Sequence, residues 1–154
     1  MEINPESVTA CDQCFGCGKN NPCGLQMEFE WDGKIIRSEF TPKEMHQGWH
    51  NIIHGGILSS LLDEAMAYAA CFGNVGGVTA LMEVRFRKPV TVGQHLNVTA
   101  WVGKKNHRFA ETEAQLTLDD GTVVTEAKAK QFVSSQVNVF KENGEAITDN
   151  VKEI

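Results

Sequence analysis

The sequence lacks the features that would place the chain on nucleic acid, in a membrane or on a secretory route. Acidic residues outnumber basic ones by 20 to 14, and the net charge is -6. A chain without a basic excess cannot neutralise a run of phosphates, so we expect no nucleic-acid partner. No apolar run reaches the roughly 20 residues of a membrane span. The first residues show no basic stretch followed by an apolar core, which predicts a cytoplasmic protein without a secretory signal.

The leader is rich in cysteine, but its spacing is a poor match to known metal sites. Cysteines stand at positions 11, 14, 17 and 23, and Cys71 lies apart. Disulfide bonds are not expected without a signal peptide. The last spacing is too long for a ferredoxin-type run, and no second C-x2-C follows. We therefore predict no metal and interpret these residues as small, half-buried thiols.

The pattern of apolar and polar residues after the leader predicts one α+β domain. Alternation of apolar and polar residues predicts strands over residues 25–31, 35–40, 78–90, 96–104, 108–118 and 122–133. Apolar residues recur at helical spacing from Gly55 to Ala70. Short turns between consecutive strands predict antiparallel neighbours, and hence an antiparallel sheet wrapped around one long central helix. Residues 1–24 form a predicted ordered leader, residues 25–140 the domain and residues 141–154 a polar tail.

The start of this helix carries the chemistry. His54, Gly55 and Gly56 open it, and Asp63 interrupts an apolar and small-residue run two turns later. A helix N-terminus offers unpaired N–H groups and a partial positive charge, and paired glycines let a ligand oxygen approach the backbone closely. An oxyanion-binding turn close to a carboxylate indicates acyl chemistry. The neighbouring Glu64 is expected to face solvent.

Three segments together resemble a known family. They are the Cys/Gly-rich residues 14–25, the His-Gly-Gly…Asp-Glu pattern of residues 54–64, and residues 78–90, which end in Phe-Arg-Lys-Pro-Val. This combination is similar to the hotdog-fold acyl-CoA thioesterases, notably the branch with phenylacetyl-CoA-type enzymes. The resemblance implies hydrolysis of a small or medium acyl-CoA or aryl-CoA to free acid and CoA, no cofactor, and a homodimer or a dimer of dimers.

Thioester hydrolysis assigns roles to these residues. Charge that develops on the carbonyl oxygen must be stabilised, which suits the N–H groups of Gly55 and Gly56. A nucleophile must be supplied or activated, which suits Asp63 as a general base or as a direct nucleophile. His54 is expected to orient the turn or to hydrogen-bond the carbonyl. The resemblance implies that Thr79 holds the water or the carboxylate.

The remaining site residues are less strongly indicated. Several relatives carry Asn or Gln seven residues before the first glycine, where this chain has Gly48. We assign that helper role to Gln47, with Asn51 as the alternative. Residues expected to bind the CoA phosphates are Arg85, Arg87 and Lys88, although a solvated strand face explains them equally well. The acyl slot is expected to be lined by Trp49, Met66 and Met82.

Helix geometry predicts that two subunits share each site. Gly55 and Asp63 are eight residues apart, which is about 12 Å along a helix axis. One helix cannot easily bind a carbonyl oxygen at its start and attack the same carbon from Asp63. Two helices related by a two-fold axis can, with His54 and Gly55 from one subunit and Asp63 from the other. The resemblance implies the same arrangement.

Other functions stay open at this stage. A non-catalytic acyl-CoA sensor could use the same fold, although the presence of Asp63 favours an enzyme and no helix-turn-helix segment is evident. A small metal-binding module built on the leader cysteines is a further alternative. A hydratase is less favoured, because no convincing Asp/His pair stands at hydratase spacing.

Overall fold

The computed structural model describes residues 12–73, 75, 77–133 and 151–153. Its strands are β1 (Phe29–Trp31), β2 (Ile35–Phe40), β3 (Gln47–Trp49), β4 (Ile52–Ile53), β5 (Gly77–Phe86), β6 (Leu96–Lys105), β7 (Phe109–Thr117), β8 (Val123–Val133) and β9 (Val151–Glu153). A 3₁₀ turn spans Glu44–His46, and the helix α1 spans Gly55–Phe72.

Seven strands form one sheet in the order β5-β8-β7-β6-β2-β1-β9, and β3 pairs with β4 separately. Apart from β9, which runs parallel to β1, the neighbours are antiparallel. The predicted α+β architecture is therefore confirmed. Strand β5 lies at one edge, so one side of its backbone has no partner strand among the described residues. Strand β9 falls in the predicted polar tail, and because residues 134–150 lie outside the described part, the division into three segments stays a prediction.

The helix packs along the sheet because its apolar stripe faces small residues. Its buried positions are Leu58, Leu61, Leu62, Ala65, Met66, Ala69 and Ala70. The central strands offer Ala100, Ala114, Ala127 and Ala129 to the same core. Small side chains on the sheet let the helix approach closely, and each fully buried leucine contributes roughly 1.5–3 kcal/mol. Among the described residues, no helix combines the length and apolarity needed to cross a bilayer.

Two predicted strands are too long. The strand predicted over residues 25–31 begins only at Phe29, because the N–H groups of Leu25 and Met27 donate to carbonyl oxygens of the leader at 2.7 and 2.9 Å. Their side chains are nevertheless buried, so the alternation reports burial against the leader rather than pairing in the sheet.

The strand predicted over residues 78–90 ends at Phe86. The next two N–H groups, of Arg87 and Lys88, both donate to the carbonyl oxygen of Val124. Two donors on one acceptor break the ladder, and the proline that follows has no N–H with which to resume it.

Candidate active site

The helix α1 begins with a histidine cap. His54 is the N-cap, and its Nδ1 accepts a hydrogen bond from the Gly56 N–H at 2.9 Å. A ring that accepts a hydrogen bond at Nδ1 carries its proton on Nε2, so the Nε2–H of His54 remains as a donor. The Gly56 N–H is already hydrogen-bonded within the cap, so its role as an oxyanion donor stays a prediction.

The N–H of Gly55 takes no part in the His54 cap. No hydrogen-bond partner for it occurs within the described residues. A Cβ at Gly55 would lie 3.2 Å from Cζ of Phe86, so the phenyl ring lies directly against this turn. Phe86 is 53% exposed, and the sequence reasoning missed it. The available signal was its place two residues beyond Val84 on the same face of β5.

Asp63 is held by strand β5. The Thr79 hydroxyl donates to Oδ1 of Asp63 at 2.8 Å, and both residues are half-buried. The acceptor is a carboxylate, and hydrogen bonds to ionised acceptors are roughly twice as strong as neutral ones. Strand β5 therefore fixes the orientation of the Asp63 carboxylate on α1. The sequence predicted that these two residues act together, and the structure places them in contact.

A buried glutamine lies beside this pair and was not predicted. Gln131 is fully buried, and neither of its amide atoms has a hydrogen-bond partner among the described residues. It stands opposite Thr79 in the β5–β8 register. Residues directly opposite in an antiparallel pair point to the same face, so Gln131 lies on the side of Asp63. Its sequence signal is a polar residue that continues the inward series of Ala127 and Ala129.

The predicted polar helpers serve the turn before the helix. Gln47 Nε2 donates to the Glu44 carbonyl at 2.9 Å, and its Oε1 accepts from the Asn51 N–H at 2.5 Å. Asn51 has a φ of +57°, in the left-handed region of a tight turn. Both polar groups of Gln47 are hydrogen-bonded to backbone on either side of β3, and its assignment as a catalytic helper stays a prediction. The Asn51 assignment finds no contact with the Asp63 pair.

Two of the expected phosphate ligands, Arg85 and Arg87, lie beside the same glutamate on the outer face of the sheet. Arg87 forms an ion pair with Glu126 at 2.6 Å, and this hydrogen bond raises the pKa of Arg87 and lowers the pKa of Glu126. Arg85 lies on the outer face of the sheet, where it lines a groove of about 600 Å³ with Glu83 and Trp101. That face is opposite the helix, so Arg85 does not share a side with Asp63. Lys88 stays exposed.

The expected acyl-slot residues are also divided. Met66 is fully buried and Met82 packs against the core, so neither is exposed like Trp49, and their assignment to the acyl slot stays a prediction. Trp49 is 83% exposed and Met45 69% exposed in the segment that leads into the helix. Phe86, whose ring lies against Gly55, is a third exposed apolar side chain near the helix start, and we call these three side chains the apolar patch. Large exposed apolar side chains are candidates for an interaction or ligand surface.

Comparison with known proteins agrees with this geometry. A family model described as the thioesterase superfamily matches residues 50–125, which contain the capped helix start, Asp63 and Thr79. A crystallised thioesterase superfamily protein superimposes with a TM-score of 0.75 at 22% identity, over 80% of this chain and 61% of that protein. The PaaI protein of the E. coli phenylacetic acid degradation operon superimposes with a TM-score of 0.66 at 23% identity, over 70% and 83%.

The chain has the hotdog fold, and a thioesterase superfamily protein is among its structural neighbours. The predicted resemblance is thereby confirmed. Human acyl-coenzyme A thioesterase 13 is 30% identical over 87 residues, which are 55% of this chain and 61% of that protein. The matched part of this chain therefore covers less than two thirds of the length of this relative.

The leader folds onto the hotdog helix and corrects one further expectation. Glu64 is half-buried rather than solvent-facing, and Cys14 Sγ donates to its Oε1 at 3.5 Å. Burial, together with a hydrogen bond to Glu64, raises the pKa of the Cys17 thiol. None of the described cysteines forms a disulfide bond, and Cys11 lies outside the described residues.

Proposed function

We propose that this protein is an acyl-CoA thioesterase that hydrolyses the thioester of a small or medium acyl-CoA or aryl-CoA. The observation that carries the proposal is the Asp63 carboxylate held by Thr79 on a helix whose first N–H has no described partner. The fold adds support, since human acyl-coenzyme A thioesterase 13 is a relative. Solved neighbours from Streptococcus mutans and Streptococcus pneumoniae contain acetyl-CoA and CoA.

The residues divide the chemistry between them. The Gly55 N–H, at the positive end of the helix dipole, donates to the thioester oxygen as negative charge develops there. His54 Nε2–H supplies a second donor. As a general base, Asp63 removes a proton from the water that attacks the carbonyl carbon, the bond from carbon to sulfur breaks, and the proton passes to the departing CoA thiolate. As a nucleophile, Asp63 attacks the carbonyl carbon and displaces the CoA thiolate, and water then hydrolyses the acyl-Asp63 anhydride to the free acid and supplies the proton for CoA. Thr79 keeps the carboxylate in one orientation.

A second copy of the chain completes the site in this proposal. Thr79 contacts Asp63 near one end of β5, and Phe86 contacts Gly55 at the other end. If two β5 edges pair antiparallel with Met82 of each copy opposite Glu83 of the other, Thr79 of one copy stands opposite Phe86 of the other. Asp63 of one subunit then approaches Gly55 of the second. The free edge of β5 and the exposed apolar patch at the helix start support such a homodimer, or a dimer of dimers built from it.

A parallel in the solved neighbours supports the pairing of Asp63 with Thr79. Two structures of the Streptococcus pneumoniae protein carry alanine at an aspartate and at a threonine. Those two positions are sixteen residues apart, which is also the separation of Asp63 and Thr79.

The first test is hydrolysis of a panel of acyl-CoA and aryl-CoA substrates by the wild type and by Asp63→Asn. We expect a rate loss of at least about a hundredfold, as for the removal of a general base. Comparable rates would remove Asp63 from the mechanism. Tight binding of acyl-CoA by a wild type that turns nothing over would indicate the acyl-CoA sensor instead.

The second test separates the two halves of the site. Gly55→Pro removes the N–H, and proline is tolerated at the first helical position, where His54 already has the extended backbone that a following proline requires. Gly55→Ala is the matched control, because it adds carbon but keeps the donor. Neither Gly55→Pro nor Asp63→Asn should be active alone.

Mixed dimers of the two inactive variants regain one intact site each if the site is shared. Half of the randomly reassorted dimers are mixed, so about a quarter of the wild-type activity should return. No recovery, in mixtures whose heterodimers are verified by differential tagging, would refute the shared site.

A further inference from the structure

A second cluster of reactive side chains lies one residue along the helix from Asp63 and has no part in the proposed hydrolysis. Its members are the thiols of Cys14 and Cys17 and the carboxylate of Glu64. Their potential ligand atoms all lie within 4.8 Å of one another. Two belong to the leader and one to α1, so long-range packing brings them together.

The local backbone is built for this convergence. Cys14 and Cys17 are separated by two residues, and the Gly18 N–H donates to the Cys14 carbonyl at 2.9 Å, which closes the turn between them. Gly16, inside that turn, lies against the helix. A Cβ there would stand 2.3 Å from Cδ of Glu64, so a larger residue would displace the carboxylate from its present position.

We propose that these three side chains bind a zinc-class divalent ion that fastens the leader to α1. Zinc takes thiolate sulfur at about 2.3 Å and carboxylate oxygen at about 2.0–2.2 Å in tetrahedral geometry, which puts neighbouring ligand atoms about 3.5–4 Å apart. The distance from Cys14 Sγ to Glu64 Oε1 is 3.5 Å. One solvent molecule completes the coordination.

The charge and proton balance fits such an ion. Without metal, the Cys14 thiol donates its proton to Oε1 of Glu64, so this proton must leave when an ion takes its place. Binding releases the two thiol protons and leaves two thiolates and one carboxylate, three negative charges, around an ion of charge two. The sequence alone argued against a metal because the spacing of the leader cysteines matches known metal sites poorly. The missing ligand is Glu64, which the sequence reasoning placed in solvent.

The inference is independent of the thioesterase proposal, and its test measures metal rather than turnover. Chelator-treated full-length protein is titrated with Zn²⁺ against a chromophoric indicator, and with Co²⁺ to detect the thiolate-to-cobalt absorption band. We expect one ion per chain. Cys14→Ser, Cys17→Ser and Glu64→Gln should each weaken Zn²⁺ binding by at least about tenfold and diminish the cobalt band.

The matched control is Cys23→Ser, because Cys23 is an exposed thiol in the same leader and lies outside the cluster. It should bind Zn²⁺ as the wild type does. Circular dichroism checks that each variant is folded. The proposal is overturned if the wild type binds no ion, if Cys23→Ser loses as much affinity as Cys14→Ser, or if Glu64→Gln keeps wild-type affinity.

Discussion

Replacement of Thr79 by valine tests the geometry of the site most directly. Valine keeps the branched shape that suits a strand and removes only the hydroxyl that donates to Asp63 at 2.8 Å. A hydrogen bond to a charged group contributes about 1.5–3 kcal/mol. If that energy holds the carboxylate in its reactive orientation, its loss lowers kcat by about ten- to a hundredfold, since each 1.36 kcal/mol is one factor of ten.

The assay is steady-state hydrolysis of the best acyl-CoA from the panel, with kcat and KM determined separately. Thr79→Val should reduce kcat and leave KM nearly unchanged, because the hydroxyl orients Asp63 and binds no part of CoA. Thr79→Ser restores the donor and should recover most of the rate. Wild-type kcat in Thr79→Val, or an equal loss in Thr79→Ser, would refute the reasoning.

Three further outcomes are expected. Gln131→Leu should raise the free energy of unfolding by about 1–3 kcal/mol, because it removes an unpartnered buried amide, and should lower kcat because the amide lies beside Thr79; thermal denaturation and kinetics measure the two effects, and unchanged kcat would make Gln131 structural only. Trp49→Glu should shift the dimer towards monomer in analytical ultracentrifugation, and an undisturbed dimer would place the apolar patch outside the interface. The Asp119 carboxylate, 2.7 Å away, raises the pKa of His95 above 6.5, so this contact stabilises the fold below about pH 6.5 and is lost as the pH rises through the raised value; His95→Gln should lower Tm more at about pH 5.5 than at about pH 8.5, and an equal loss at both would contradict it.

The main elements could be predicted from the sequence because their signals are local. The helix predicted from Gly55 to Ala70 ends at Phe72, two residues later, since its apolar stripe continues to the glycine that ends it. Strand boundaries failed where the backbone partner is distant in sequence. Residues 25–28 alternate like a strand, yet their N–H groups bond to the leader, and no local pattern distinguishes those partners.

The part of the site around Asp63 could be predicted because its signal lies in the neighbouring sequence. Asp63 stood out as a carboxylate in an apolar run, and the structure shows it in contact with Thr79. The roles of Glu64 and Gln131 could not be foreseen, because each depends on a segment that packs against it from far along the chain. Glu64 is covered by the leader, and Gln131 lies opposite Thr79 only because of the β5–β8 register.

The two glycines at the helix start are the same type of residue but have different surroundings and different chemical roles. Gly56 uses its N–H within the cap, and Gly55 lies so close to Phe86 that any Cβ presses on the ring. A loss of activity in Gly55→Ala could therefore report a displaced phenyl ring rather than a damaged oxyanion site. Gly55→Pro adds similar bulk and also removes the donor. The difference in kcat between the proline and alanine variants thus isolates the N–H, and for one oxyanion donor it should be about 10²–10³-fold.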